Sequence, residues 1–162
     1  MSGWSSPARR RIVLAATGLG LLALGAAAVL APRGAPGGLP ASLLAWWGAA
    51  ASWWPSFAHA AALSLLTAAA LPARGGWPYA GCVAWAVVDI AAEFGQRPGL
   101  DRVWADAILE GLGRVPGAQA LADHLLGGTF DPADVAAVIA GCAAAAAIVR
   151  WQTRRPRGRP DG

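Results

Sequence analysis

Between Tyr79 and Gly95 the chain runs for seventeen residues that are apolar or small, broken only by Asp89 and Glu93. With Trp77 and Gln96 at its ends the run is about long enough to cross a hydrocarbon core, which makes it a membrane helix carrying acids. On a helix Asp89, Glu93 and Gln96 fall at i, i+4 and i+7 and share one stripe, which Cys82 and Trp85 continue. A carboxyl group inside a bilayer costs roughly 3 kcal/mol on insertion scales and turns toward a partner or a water-filled cavity. The rest of the chain has to supply those partners.

Composition supports the same class. Hydrophobic residues make up 56% of the chain and charged residues 14%, well under the quarter or so usual for a soluble domain. At 162 residues one compact bundle is expected, with no second sizeable domain. The basic residues are all arginines gathered near the segment ends, so nucleic acid is not an expected partner. Cys82 and Cys142 lie in apolar runs without CxxC or Cys/His spacing, so they read as two buried thiols packed as small apolar groups. No metal site or cofactor is expected.

In chain order, residues 1–11 form a short basic N-terminus and 12–31 an uncharged first span. A cleaved signal peptide competes with that span, since Val29-Leu30-Ala31 fits a small-residue cleavage site. The length of the run, beyond the usual h-region of about 7–15 residues, favours the span. Gly18, Gly20 and Gly25 suit close helix contact. Residues 32–40, rich in Pro and Gly, form a loop. Trp46, Trp47, Trp53 and Trp54 then suggest an interfacial segment, because the indole ring is apolar and its N–H seeks water. Bases or a sugar stacked on these rings are the minority reading.

The second span covers about 55–73, with Pro55 suited to its first turn and His59 as its one ionisable residue. The third covers 78–96. Between 98 and 129 lies an insert too charged to span. Leu100, Trp104 and Ile108 recur every four residues, while Arg102, Asp106 and Glu110 mark another face, so an amphipathic helix is predicted there, with a second short helix after Pro116-Gly117. The insert reads either as helices lying on the membrane surface or as a lid over a site. The fourth span covers 131–151. It opens with Asp131 as N-cap, Pro132 as first helical residue and Asp134 at N3, and it carries a small-residue stripe of Ala133, Ala137, Gly141 and Ala145. Residues 152–162 form a basic, proline-rich tail expected to be disordered near anionic headgroups. The expected fold is therefore an all-α membrane protein, a four-transmembrane-helix bundle with a short amphipathic insert between spans three and four.

Arginine counts orient it. With both termini inside, nine arginines lie on the inner side and four on the outer side, the positive-inside arrangement expected of a multi-pass membrane protein. His59 and Glu93 then lie about one turn below the outer surface and Asp131 and Asp134 at its rim, with Asp89 about 10 Å deeper than Gln96. Candidate ligand-binding residues are His59, Asp89, Glu93, Gln96, Asp131 and Asp134. His59 and Glu93 are the candidates for proton exchange with a ligand, through an imidazole that titrates near neutrality and carboxyls that can share a proton. The bland alternative is that these groups are polar helix ends that hold the bundle together. No GxSxG motif and no phosphate-binding loop in proper context occurs.

His59 near the start of the second span, Glu93-Phe94-Gly95-Gln96 at the outer end of the third, and Asp131-Pro132-Ala133-Asp134 leading to Gly141 in the fourth together resemble the VanZ-like membrane proteins. The resemblance covers residues 10 to 151 and implies a small four-span protein, in a family whose founding member is linked to teicoplanin resistance. This chain departs from the family pattern at Val138, where Asn is common, and in the long insert from Arg97 to Thr129. The functions implied are binding or modifying a cell-envelope amphiphile, such as a lipid-linked precursor or glycopeptide, or contributing to glycopeptide resistance. A non-enzymatic assembly subunit docking on another membrane protein is the alternative, and a proton-linked transporter the third reading. Membrane lipids are partners in all three.

Overall fold

A computed structural model describes residues 7–30, 41–72 and 75–154, with the backbone alone for residues 30 and 41–51. The described residues form six helices and no strand: α1 Pro7–Leu30, α2 Ala41–Ala70, α3 Trp77–Gly95, α4 Leu100–Leu112, α5 Ala118–Gly127 and α6 Pro132–Arg154. The protein is all-helical, and two of its helices, over Pro7–Val29 and Pro132–Arg154, are long and apolar enough to cross a membrane. The loop expected at 32–40, the side chains of Trp46 and Trp47, and the terminal tail beyond 154 lie outside the described residues.

The long helix α2 is the hub, packing against α1, α3 and α6, while α3 also packs on α6. Small residues make this possible. A Cβ added to Gly141 of α6 would stand 2.5 Å from the Phe57 carbonyl oxygen of α2, and one on Gly18 of α1 would stand 3.0 Å from that of Ala62. Lipid tails offer a helix as much apolar contact as leucine does, so helices associate in a bilayer through this kind of close approach. Ala137, Gly141 and Ala145 are buried in the joint, as the predicted stripe requires, whereas Ala133 is exposed. Gly25 makes a similar contact with Ala58, but Gly20 faces open space.

One core cluster joins Leu14, Leu65, Cys82, Ala145 and Val149 from four helices; a second groups Ala60, Val138 and Cys142. Both cysteines are buried and free. The outward faces are apolar instead of polar: Val83 and Val87 on α3 are 64% and 63% exposed, and Ile12, Leu19 and Ile139 are exposed too. Small residues thus fill much of the interior, and large aliphatic side chains stand on the outside.

In one respect the structure revises the expected elements. Pro55 does not start α2; the helix begins at Ala41 and runs through the proline. Proline costs a helix interior one ladder hydrogen bond and some crowding, yet neighbouring helices make it tolerable in membrane-type segments. The edge-on and stacked cluster of Trp53, Trp54 and Phe57 flanks it, with ring centroids 5.3–6.3 Å apart. The tryptophans thus decorate a continuous helix and not a separate segment.

The insert folds as a helical hairpin, α4 packed on α5, held to the bundle through α3. Two Pro-Gly pairs shape it: Gly99 and Gly117 take φ values of 90° and 94° immediately before α4 and α5. Those left-handed conformations are ones only glycine adopts readily. Ala105 is buried in α4, but Leu100 and Trp104 of the predicted apolar stripe are 43% and 41% exposed.

Candidate functional site

The polar stripe of α3 faces the bundle. Trp85 donates its indole N–H to Thr67 Oγ1 of α2 at 2.8 Å, and Cys82 enters the core below it. The bond joins α3 to α2 on the stripe that also carries Asp89 and Glu93.

A cavity of about 500 Å³ opens at that level. Leu22, Gly25, Ala26 and Val29 of α1 form an apolar wall on one side. Ser56 and His59 of α2, and Asp89, Glu93 and Gln96 of α3, form the polar side, which Asp134 of α6 and His124 of α5 complete. The size lies within the range of small-molecule sites, about 300–1,000 Å³.

Five sequence candidates, His59, Asp89, Glu93, Gln96 and Asp134, line this one space. Asp131 does not. Its Oδ1 accepts the Ala133 N–H at 2.8 Å and its main-chain oxygen accepts the Asp134 N–H, the N-cap arrangement expected from its position. It remains a neighbour of the site, because the Glu93 carboxylate reaches the Asp131 main chain. Asp134 does more than start a helix: its Oδ1 accepts the Ser56 hydroxyl at 2.8 Å, joining α6 to α2.

Asp89 lies within electrostatic range of His59, and Glu93 of Asp134, Asp131 and Asp89. Two oxygens there, Asp89 Oδ2 and Glu93 Oε2, are shielded from solvent and have no hydrogen-bond partner. A buried acceptor without a donor costs on the order of 1–3 kcal/mol, more when charged.

Gln96 is buried at the end of α3, 6% exposed, and its Nε2 lies 3.2 Å from His124 Nε2, with the amide donating and the ring nitrogen accepting. A Cβ on Gly128 would collide with the Gln96 amide, so the glycine makes room for it. The insert therefore reaches the cavity through His124. Arg97 turns away: its guanidinium carbon stands 4.3 Å over each of the Phe94 and Phe130 rings.

Ser56 and His124 complete the site and went unnamed in the sequence reading. Ser56 carried a weak signal, since it precedes His59 by three residues and so shares its helical face. His124 carried none beyond being the only imidazole of the insert, because where α5 folds back is a tertiary matter.

The chemistry open to this arrangement is proton exchange between carboxyl and imidazole, and donation of hydrogen bonds from a guest to carboxyl oxygens. The Ser56 hydroxyl points its proton at a carboxyl and not at an imidazole, unlike a histidine-activated nucleophile. Among the described residues no three of His, Cys, Asp and Glu come together in a way that would hold a metal ion.

No family model, curated protein or solved structure matches the chain. The VanZ-like resemblance accordingly rests on its short motifs at His59, Glu93–Gln96 and Asp131–Asp134.

Proposed function

We propose that this is a four-span membrane protein of VanZ-like type whose polar cavity opens to the outer face of the bacterial cytoplasmic membrane and binds, or modifies, an amphiphile of the cell envelope. One observation carries the reading: a single cavity has an apolar wall on α1 and a carboxyl- and imidazole-rich wall on α2, α3 and α6. A guest with a tail and a polar head satisfies both walls at once; a wholly polar or wholly apolar guest satisfies one. The large exposed aliphatics of α1, α3 and α6 support burial in lipid, and the arginine distribution supports inner termini. Contribution to glycopeptide resistance is the form of this function that the resemblance suggests.

A photo-crosslinking side chain at Ala92, on the cavity wall, tests it in intact membranes. The expected product is a lipid-like adduct that is lost in Glu93→Gln and His59→Ala variants still present in the membrane at normal abundance. If both variants disappear from the membrane, the cluster is structural and the reading fails.

A second reading, a non-enzymatic assembly subunit, is favoured by one feature. Val103, Trp104, Ala107, Ile108 and Leu112 of α4 line an open apolar groove of about 370 Å³. Cross-linking from Trp104 would then yield a defined protein adduct, and capture of lipid alone would count against it.

A further inference from the structure

The two ends of the bundle carry opposite charge. Gly18 and Gly25 of α1 meet Ala62 and Ala58 of α2, Trp85 of α3 meets Thr67, and Asp134 of α6 meets Ser56. These contacts bring the starts of α1 and α3 to the same end as the finish of α2 and of α6. Leu14 and Val149 share one core cluster there, so Arg10 and Arg11, about a turn nearer the start of α1, stand at the same end as Arg150 and Arg154. All nine acids but Asp161 lie between positions 89 and 134, in the second half of α3, in the hairpin and at the start of α6. Asp161 lies outside the described residues, in a stretch that also carries Arg155, Arg157 and Arg159. Arg11, Arg150 and Arg154 are exposed, while Nε and Nη2 of Arg10 are shielded from solvent and have no hydrogen-bond partner, so no carboxylate of the bundle bonds them. Trp77 at the start of α3 and Trp151 near the finish of α6 flank this end and are 61% and 57% exposed. Such a surface matches a lipid headgroup layer, where indole rings sit at the boundary with water and guanidinium groups bind phosphate oxygens through paired N–H bonds.

We infer that this arginine-bearing end docks on the anionic headgroups of a lipid leaflet. Phosphate oxygens accept from the exposed guanidinium groups of Arg11, Arg150 and Arg154 and act on the shielded Arg10 through charge alone. The inference goes beyond the amphiphile reading, because it concerns the end of the bundle away from the cavity; the two share only the burial in lipid.

Electron paramagnetic resonance of the full chain in phosphatidylcholine nanodiscs tests it, with a trace of phosphatidylglycerol or of phosphatidylcholine spin-labelled on the acyl chain. The motionally restricted fraction of each label gives its relative affinity for the protein. Phosphatidylglycerol is expected to be favoured about fivefold, the worth of one arginine near an anionic lipid. The preference should fall to near parity in the triple variant Arg11→Gln, Arg150→Gln, Arg154→Gln and persist in Arg102→Gln, Arg114→Gln, which removes two arginines of the hairpin region. Raising salt from about 0.01 M to about 1 M shortens the screening length from about 30 Å to about 3 Å and should abolish the preference of the unmutated chain, so the test stands even if the triple variant fails to insert. Inorganic phosphate should compete no better than chloride at equal ionic strength. Equal affinity for the two labels, a preference that survives the triple variant or high salt, or an equal loss in both variants would overturn leaflet docking. Selective competition by phosphate would overturn it in favour of a site for the free ion. An unmutated chain that restricts neither label would overturn the burial in lipid on which the amphiphile reading also depends.

Discussion

The hydroxyl of Ser56 lies 2.8 Å from Asp134 Oδ1, a bond between residues 78 apart in sequence that ties α2 to the first turn of α6 at the cavity wall. Polar bonds between membrane helices average about 0.6 kcal/mol and reach about 1.7 at most. Ser56→Ala should therefore lower stability by ~1 kcal/mol, read as a shift in the unfolding midpoint in mixed micelles. No shift would mean that the hydroxyl finds an equivalent partner without Asp134.

The close approach of α6 to α2 depends on Gly141, whose missing Cβ leaves room for the Phe57 carbonyl. Gly141→Ala should destabilise by about 1–3 kcal/mol, as overpacking does. Gly20→Ala, which meets nothing within 4 Å, should be neutral or stabilising by up to about 1 kcal/mol through helix propensity. The contrast between two identical substitutions is the measurement, made by the same unfolding assay. Equal effects would contradict the packing described for α2 and α6.

The insert is tied to the cavity by Gln96 and His124. Gln96→Leu keeps the bulk and removes the amide. Amide hydrogen exchange over residues 118–127 should then accelerate by about fivefold, the worth of one hydrogen bond of ~1 kcal/mol. Exchange over 58–69 of α2, which packs on α1, α3 and α6, should stay unchanged. Acceleration across both regions would show that Gln96 holds the whole bundle together and not the hairpin alone.

Much of this architecture is legible in the residues because charge in an apolar run is conspicuous. Asp89, Glu93 and Gln96 declare a face by their spacing, and the cavity lies on that face. Asp131 and Pro132 mark the start of α6 by local capping chemistry, which needs no tertiary knowledge. The start of α2 was hidden for the opposite reason. Proline is a local signal for a first turn, and the continuation of the helix back to Ala41 overrides that local rule. His124 shows a further limit: a short helix after Pro116-Gly117 can be foreseen, but the direction in which the hairpin folds is set by the docking of α4 on the end of α3.

The proposed function requires α1, α2, α3 and α6 to enclose one polar cavity open to the external side. Single cysteines at His59, Glu93 and Val87, in a background of Cys82→Ala and Cys142→Ala, test it in intact cells with a membrane-impermeant trimethylammonium methanethiosulfonate. The expected result is modification at positions 59 and 93 from outside, and none at 87, whose side chain is exposed on the outer surface of the bundle and would face lipid. Modification of 59 and 93 only in inverted vesicles, or of 87 as readily as 93, would contradict it.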